Sequence, residues 1–200
     1  MSAEIDPCRP KEGADAARAW HPQGVLPPPA PVDQAWLPSA YRRARRALIA
    51  KMRRKQKMAF SCVGCDGRCC TSLYNRMRIT PLEARHIARY LSRIFGRDPS
   101  AREEILARLH ESIRRFSLKR SEKPQAYTCP FFRTRGHLCM LPASVKPVGC
   151  LAFNPDRTAR CDLDPLLFLP ANQTAKGAAH GPAWPIPVAV LDALDSLDAS

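Results

Sequence analysis

The sequence predicts a mainly α-helical protein, in which a small helical scaffold carries irregular cysteine-rich loops behind a disordered, proline-rich N-terminus. Three observations support this fold class. Several segments repeat apolar residues at helical spacing. Eight of the nine cysteines lie between residues 62 and 161, and eight prolines fall within the first forty residues. A chain of 200 residues with 45% hydrophobic composition suits one domain and is too short for two large ones.

The N-terminal stretch, residues 1–38, is predicted to be a disordered arm, because closely spaced prolines block helices and favour extended, solvated chain. Cys8 lies in this arm, far in sequence from the other cysteines, and is interpreted as a bystander. The chain starts without a basic region followed by an apolar stretch, and no apolar run approaches the ~18 residues of a membrane span. We therefore expect a cytoplasmic protein with no membrane partner.

A strongly basic helix is predicted in residues 39–59, where Ser39 is a candidate N-cap and the segment 41–60 holds nine basic and no acidic residues. This pattern has two interpretations. Residues 42–57 are an electrostatic site for nucleic acid or an acidic protein, or the helix is solvated and docks through an apolar stripe. That stripe consists of Tyr41, Ala44, Leu48 and Met52.

Two further helices are predicted to form the scaffold. Thr80 and Glu83 enclose a proline at the first helical position, which is typical of a capping box, and Gly96 is a stop signal. Ser100 and Glu103 are expected to cap the second helix, which runs to about residue 118 and packs antiparallel on the first. Residues 170–200 are predicted to be a proline-containing tail with a short helix.

The cysteine spacing carries most of the chemical information. A C-x-x-C turn lets two sulfurs converge on one ion. Cys69 and Cys70 are adjacent, and adjacent side chains are expected to point in different directions. Either only one of them binds the same ion as Cys62 and Cys65, or the two bind different ions, or the site holds a multinuclear cluster. The predicted metal ligands are Cys62, Cys65, Cys69, Cys70, Cys129, Cys139, Cys150 and Cys161.

Residues 60–169 are therefore interpreted as a metal-binding domain with irregular Cys-rich metal-binding loops. Nine thiols without an export signal favour metal or redox chemistry over a disulfide scaffold. The expected cofactor is zinc or iron, with an iron–sulfur cluster possible in principle for this ligand set. Nearby cations such as Lys146 and Arg133 are expected to neutralise the thiolates. His137 is the best histidine candidate as a further ligand, whereas His86 and His110 are expected to be surface or satisfied residues.

The order of these motifs resembles the YkgJ-like cysteine cluster (CxxCxxCC) family, whose members are described as zinc- or iron-chelating. The matching elements are the four cysteines from Cys62 to Cys70, the Thr80–Glu83 helix start, Cys129-Pro130-Phe131, Cys139, and Lys146-Pro147 before Cys150. The first motif has one extra residue before Cys69, and a lysine stands where the family has an arginine. The resemblance covers about residues 60–157 and implies metal chelation without selecting zinc or iron.

Three functions follow as hypotheses. The first is a protein that chelates zinc or iron through its multi-cysteine site. The second is a cluster-dependent redox or methyl-transfer enzyme, because the flagellin lysine-N-methylases look related in this region. The third is a zinc-stapled module that binds nucleic acid or protein. The sequence has no G-x-G-x-x-G or Walker motif that would add a nucleotide site, so we favour the first.

Overall fold

The computed structural model of the chain describes residues 34–57, 68–121, 123–133, 138–155, 161–163 and 181–199. Helix is the dominant secondary structure of this part, which confirms a mainly helical fold. None of the described helices is long and apolar enough to cross a bilayer. The helices are α1 (Ser39–Lys57), α2 (Pro81–Phe95), α3 (Pro99–Phe116), α4 (Val148–Ala152) and α5 (Ile186–Asp198), with a 3₁₀ turn at Arg68–Cys70.

Short antiparallel strand pairs connect segments that are distant in sequence. The strands are β1 (Arg78–Ile79), β2 (Phe132–Arg133), β3 (Leu138–Cys139), β4 (Phe153–Pro155), β5 (Cys161–Leu163) and β6 (Trp184–Pro185). They pair as β1 with β6, β2 with β3 and β4 with β5. Strands of two or three residues are too short to form the core of a sheet, so each strand pair only links two segments of the chain locally.

Helix α2 begins as the sequence predicts. The Thr80 side chain accepts a hydrogen bond from the backbone N–H of Glu83, and the Glu83 carboxylate accepts one from the backbone N–H of Thr80. This reciprocal capping box satisfies two N–H groups that have no partner within the helix. Ile87 and Leu91 on the apolar face of the helix are fully buried.

The start of helix α3 corrects one prediction. Its N-cap is Asp98, whose carboxylate accepts hydrogen bonds from the backbone N–H groups of Ser100 and Ala101 at 3.0 and 3.2 Å. The predicted cap, Ser100, lies inside the first turn instead. Pro99 explains the difference, because proline is favoured at the first helical position and so moves the cap to the residue before it.

The described C-terminal residues form a helix where the sequence predicts a short one, but this helix is part of the core and not of a separate tail. Helix α5 packs against α2 more extensively than any other element does, and it also packs against α3. Val190 and Leu194 on its inner face are buried in the main core. The predicted scaffold has two helices, and α5 adds a third that packs on both.

Helix α1 lies where the sequence predicts a basic helix, but the residues before it differ from expectation. Leu37, predicted to lie in the disordered arm, is 2% exposed and belongs to a second core cluster with Tyr41, Leu48 and the short helix α4. Packed residues therefore occur before residue 39, and Ser39 is the first residue of the helix. Residues 1–33 lie outside the described part, so the predicted arm is not assessed there.

Candidate metal centre

Five of the eight predicted ligands have side chains in the described part of the structure, and all five are thiols without disulfide bonds: Cys69, Cys70, Cys129, Cys139 and Cys150. Cys62, Cys65 and the candidate histidine, His137, lie outside the described residues. Cys161 is described only as backbone, in strand β5, where it pairs with Pro155.

Cys69 and Cys70 lie side by side. Their sulfur atoms are 3.9 Å apart, because the 3₁₀ turn at Arg68–Cys70 brings the two side chains together. This corrects the expectation that the two adjacent side chains point in different directions, as they do in extended chain. Four sulfurs held at about 2.3 Å from a tetrahedral zinc ion are separated from one another by about 3.8 Å. The observed separation is therefore close to one edge of such a tetrahedron.

The segment that follows Cys70 runs alongside the segment that contains Cys129. The backbone N–H of Cys129 donates to the carbonyl of Cys70 at 2.7 Å. Further along, the Tyr127 backbone N–H donates to the Asn75 carbonyl at 3.1 Å, and the Asn75 side chain returns a hydrogen bond to the Tyr127 carbonyl at 3.0 Å. These contacts hold Cys129 beside the adjacent cysteine pair across a large gap in sequence.

Helix α3 holds the Cys129 segment from the other side. The guanidinium of Arg108 donates to the carbonyls of Pro130 and Phe132 at 2.7 and 2.6 Å. The hydroxyl of Ser112 donates to the carbonyl of Thr128 at 3.2 Å. Hydrogen bonds from a charged donor are stronger than neutral ones, so Arg108 is the main anchor of this loop.

Cys139 reaches the same region through the β2–β3 pair, in which it lies opposite Phe132. The backbone N–H of Met140 then donates to the Phe131 carbonyl at 2.8 Å and continues the pairing. Tyr90 of α2 is fully buried, and its hydroxyl makes no hydrogen bond to any described residue. Burial raises the pKa of Tyr90, and the nearby Cys139 sulfur adds to the effect.

Cys150 is carried by α4, and two buried charged residues from other helices hold this short helix in place. One carboxylate oxygen of Glu83 accepts a hydrogen bond from the backbone N–H of Val148 at 2.9 Å. The other oxygen accepts one from the backbone N–H of Thr80 at the start of α2. Arg45 of α1 donates to the Lys146 carbonyl at 2.6 Å and to the Ser144 carbonyl at 2.9 Å. An anion at the helix N-terminus is favourable for the helix dipole.

The thiols influence one another's ionisation. Interaction with the Cys129 sulfur raises the pKa of the Cys70 thiol, and the same interaction lowers the pKa of Cys129. The pKa of Cys150 is raised by burial first and then by the sulfurs of Cys129, Cys69 and Cys139. Two cations act in the opposite direction, since Arg108 lowers the pKa of Cys129 and Lys146 lowers that of Cys150.

The effect of these thiols on one another's pKa does not by itself establish a metal site. Among the residues that the structure describes, no three His, Cys, Asp or Glu side chains are grouped closely enough to hold a metal ion as they stand. The donor set nevertheless fits a soft cation. It consists of thiols, two of which lie one tetrahedral edge apart, in a region that also contains two cations to balance thiolate charge.

The sequence pattern singles out the cysteines and Lys146 as candidates, but it does not reveal the residues that position them. Arg45 was counted with the basic residues 42–57 and not with the apolar stripe, although it is 2% exposed. Arg108 was not singled out, because nothing in its sequence environment separates it from other helical arginines. Glu83 was recognised as a capping residue, yet its second contact, to Val148, depends on tertiary packing that no local pattern reveals.

His86 also differs from expectation. It is completely buried, and neither ring nitrogen has a hydrogen-bond partner among the described residues, so it is neither a surface nor a satisfied histidine. The ring of Trp36 meets it edge-on, with centroids 6.1 Å apart. Burial lowers the pKa of His86 to about 3, and the charge of Arg45 contributes. His110, in contrast, is exposed, as the sequence predicts.

No protein-family model, no curated protein and no solved structure matches the chain. The likeness to the YkgJ-like family therefore stays a resemblance, and the functional argument depends on the residues of this chain.

Proposed function

We propose that this protein binds zinc or iron through the thiolates of its cysteine cluster. One observation carries the proposal: the Cys69 and Cys70 sulfurs are 3.9 Å apart, and backbone hydrogen bonding places Cys129 directly beside them. The irregular cysteine-rich segments between the helices are the part of the fold that would serve this function. The remaining members of the proposed ligand set are Cys62, Cys65, Cys139, Cys150 and Cys161.

The protonation chemistry of the cluster supports a metal. Clustered thiols in a partly buried region cannot all ionise, because each thiolate raises the pKa of its neighbours. A soft divalent cation removes that conflict, since it displaces the thiol protons and neutralises the resulting charge. The complex would keep a net negative charge, and Arg108 and Lys146 lie where they would balance it.

The positioning contacts support a defined site over a set of loosely held thiols. Metal sites depend on outer groups that orient the ligands, and loss of such a group typically weakens metal binding about 10–100-fold. Here Arg108 holds the loop around Cys129, while Glu83 and Arg45 hold the region that leads into Cys150. Each of these contacts comes from a helix that does not itself carry a proposed ligand.

The test is metal analysis of the full chain purified without oxygen. We expect stoichiometric zinc in a colourless protein, or iron with acid-labile sulfide in a brown one. Cys129→Ser should lose most of the bound metal, because Cys129 is the member held between Cys70 and α3. Cys8→Ser is the matched control, since it removes a thiol that lies far from the cluster in sequence.

The opposite results would refute the proposal. Metal-free protein that gains no cobalt or cadmium charge-transfer absorption when titrated would exclude thiolate ligation at this cluster. Equal metal content in Cys129→Ser and Cys8→Ser would exclude Cys129 as a ligand. A redox or methyl-transfer enzyme remains the alternative if thiol or cluster loss abolishes a measured turnover while the fold survives.

A further inference from the structure

Two cysteines of the cluster belong to segments that are distant in sequence and are held side by side. The backbone N–H of Cys129 donates to the Cys70 carbonyl at 2.7 Å. The backbone N–H of Tyr127 donates to the Asn75 carbonyl at 3.1 Å. Residue numbers rise along one segment as they fall along the other, so the two segments run antiparallel. Hydrogen bonds at both ends fix their relative position.

This arrangement has the spacing of a disulfide. A backbone hydrogen bond between antiparallel segments brings the Cα atoms of the bonded residues to about 5.5 Å. Disulfides span Cα separations of about 4.4–6.8 Å. The sulfurs of Cys70 and Cys129 also interact with each other. A bond between these two sulfurs therefore requires no rearrangement of either segment.

The other close pair of sulfurs is less suited to a bond. The Cys69 and Cys70 sulfurs are 3.9 Å apart, but these residues are adjacent in sequence. A disulfide between them would close a small ring through their shared peptide bond, whose planarity resists the required distortion. Cys129 escapes this restriction because a long stretch of chain separates it from Cys70.

Burial selects the kind of oxidant that reaches the pair. Cys129 is 7% exposed, whereas Cys70 is half-buried. Thiol–disulfide exchange requires a disulfide reagent to approach the sulfur that it meets, so access limits bulky oxidants. A peroxide as small as hydrogen peroxide needs much less room. A small peroxide is therefore the oxidant class that fits this pair.

We propose that Cys70 and Cys129 form a peroxide-sensitive dithiol that closes to a disulfide. One sulfur attacks the O–O bond of the peroxide, takes up a hydroxyl group as a sulfenic acid and releases water. The second sulfur then displaces that hydroxyl group: the S–O bond breaks, the S–S bond forms, and water leaves with the second thiol proton. Two thiols and one hydrogen peroxide thus give one disulfide and two waters.

Closure of the disulfide has a consequence for the metal, and this consequence rests on the proposed function. The thiolate is the form of cysteine that binds a metal, so a disulfide removes two members of the proposed ligand set together. Oxidation and metal binding therefore exclude each other. Peroxide should release the bound metal in step with formation of the disulfide.

The experiment maps disulfides in the full-length chain. Protein purified without oxygen is titrated with hydrogen peroxide, and the remaining thiols are blocked with N-ethylmaleimide. Tryptic peptides are then analysed by mass spectrometry before and after reduction. Cys70 lies in the peptide 69–76, and Cys129 lies in the peptide 121–133. We expect these peptides as one linked species, two hydrogens lighter than their sum, which dithiothreitol separates.

Two variants decide which sulfur of the adjacent pair reacts. Cys70→Ser should lose the link between the two peptides. Cys69→Ser is the matched control and should keep it, because it removes the neighbouring thiol of the same peptide. A colorimetric chelator measures the metal released from wild type in parallel. The peptide map is informative with or without bound metal, so a linked pair in a protein that binds no metal would support the dithiol and refute the metal site.

Three results would overturn the dithiol proposal. The first is the absence of the linked species at the peroxide concentration that converts the methionines to sulfoxides. The second is a bridge within the peptide 69–76 as the main product, and the third is a link that persists in Cys70→Ser. Metal that stays bound while the linked species accumulates would refute the mutual exclusion of oxidation and metal binding.

Discussion

Glu83 provides the sharpest test of how the cysteine region is held together. Its carboxylate accepts hydrogen bonds from Thr80 N, Thr80 Oγ1 and Val148 N at 2.9, 3.0 and 2.9 Å, all in buried positions. Glu83→Gln keeps the size of the side chain but replaces one accepting oxygen by an NH₂ group. That group must then face a backbone N–H, so one buried donor loses its acceptor.

The expected loss follows from these contacts. A hydrogen bond to a charged group contributes about 1.5–3 kcal/mol, and a buried donor without an acceptor costs about 1–3 kcal/mol. Glu83→Gln should therefore lower the free energy of unfolding by about 3–5 kcal/mol, measured by urea denaturation. Val148 starts the helix that carries Cys150, so the variant should also weaken cobalt binding.

The control is Glu104→Gln. Glu104 is partly exposed and forms ion pairs of 3.9 and 3.5 Å with Arg108 and Arg133. Pairs of this kind contribute about 0–1 kcal/mol, so the control should stay close to wild type. If Glu83→Gln unfolds within about 0.5 kcal/mol of wild type, the bridge between α2 and α4 does not stabilise the fold.

Three further predictions follow. Arg45→Ala should lower the free energy of unfolding by about 3 kcal/mol in urea denaturation, because buried carbonyls lose a charged donor. The exposed control, Arg46→Ala, should change it little. Similar losses for both variants would contradict the docking of α1. Arg108→Gln should weaken cobalt binding about 10–100-fold by spectrophotometric titration, with Arg114→Gln as the unaffected control. His86 has a pKa lowered to about 3, so the unfolded chain binds its proton more readily. As the pH is lowered from 6.5 to 3, the free energy of unfolding should decrease in wild type and decrease less in His86→Phe. Identical pH profiles of the two proteins would refute this assignment.

Local signals in the sequence were read correctly where the structure depends on neighbouring residues. The Thr80–Glu83 capping box, the apolar stripe of α2 and the stripe of α1 all depend on spacing within one helix. The α3 cap was misassigned because Asp98 and Ser100 both have side chains that can cap, and Pro99 decides between them. The cysteines were singled out as candidate ligands because thiols at that density have few other uses, and this assignment stays a prediction.

Long-range features could not be read from the sequence. Arg45 is buried because carbonyls about a hundred residues away approach it, and a helical arginine pattern looks the same with or without them. The role of α5 as a core layer was missed because its prolines and short apolar stripe resemble those of a surface tail. Leu37 was assigned to the arm because proline density outweighed a single leucine.

The pairing of Cys129 with Cys70 has a consequence for biosynthesis. The two sulfurs belong to stretches separated by almost sixty residues, and α4 with Cys150 follows later still. Closing a loop of this length is entropically unfavourable until the helices between them have formed. A nascent chain therefore cannot bring these cysteines together while its second half is still in the ribosome, and a metal at the proposed site would be bound only after translation of the α4 region.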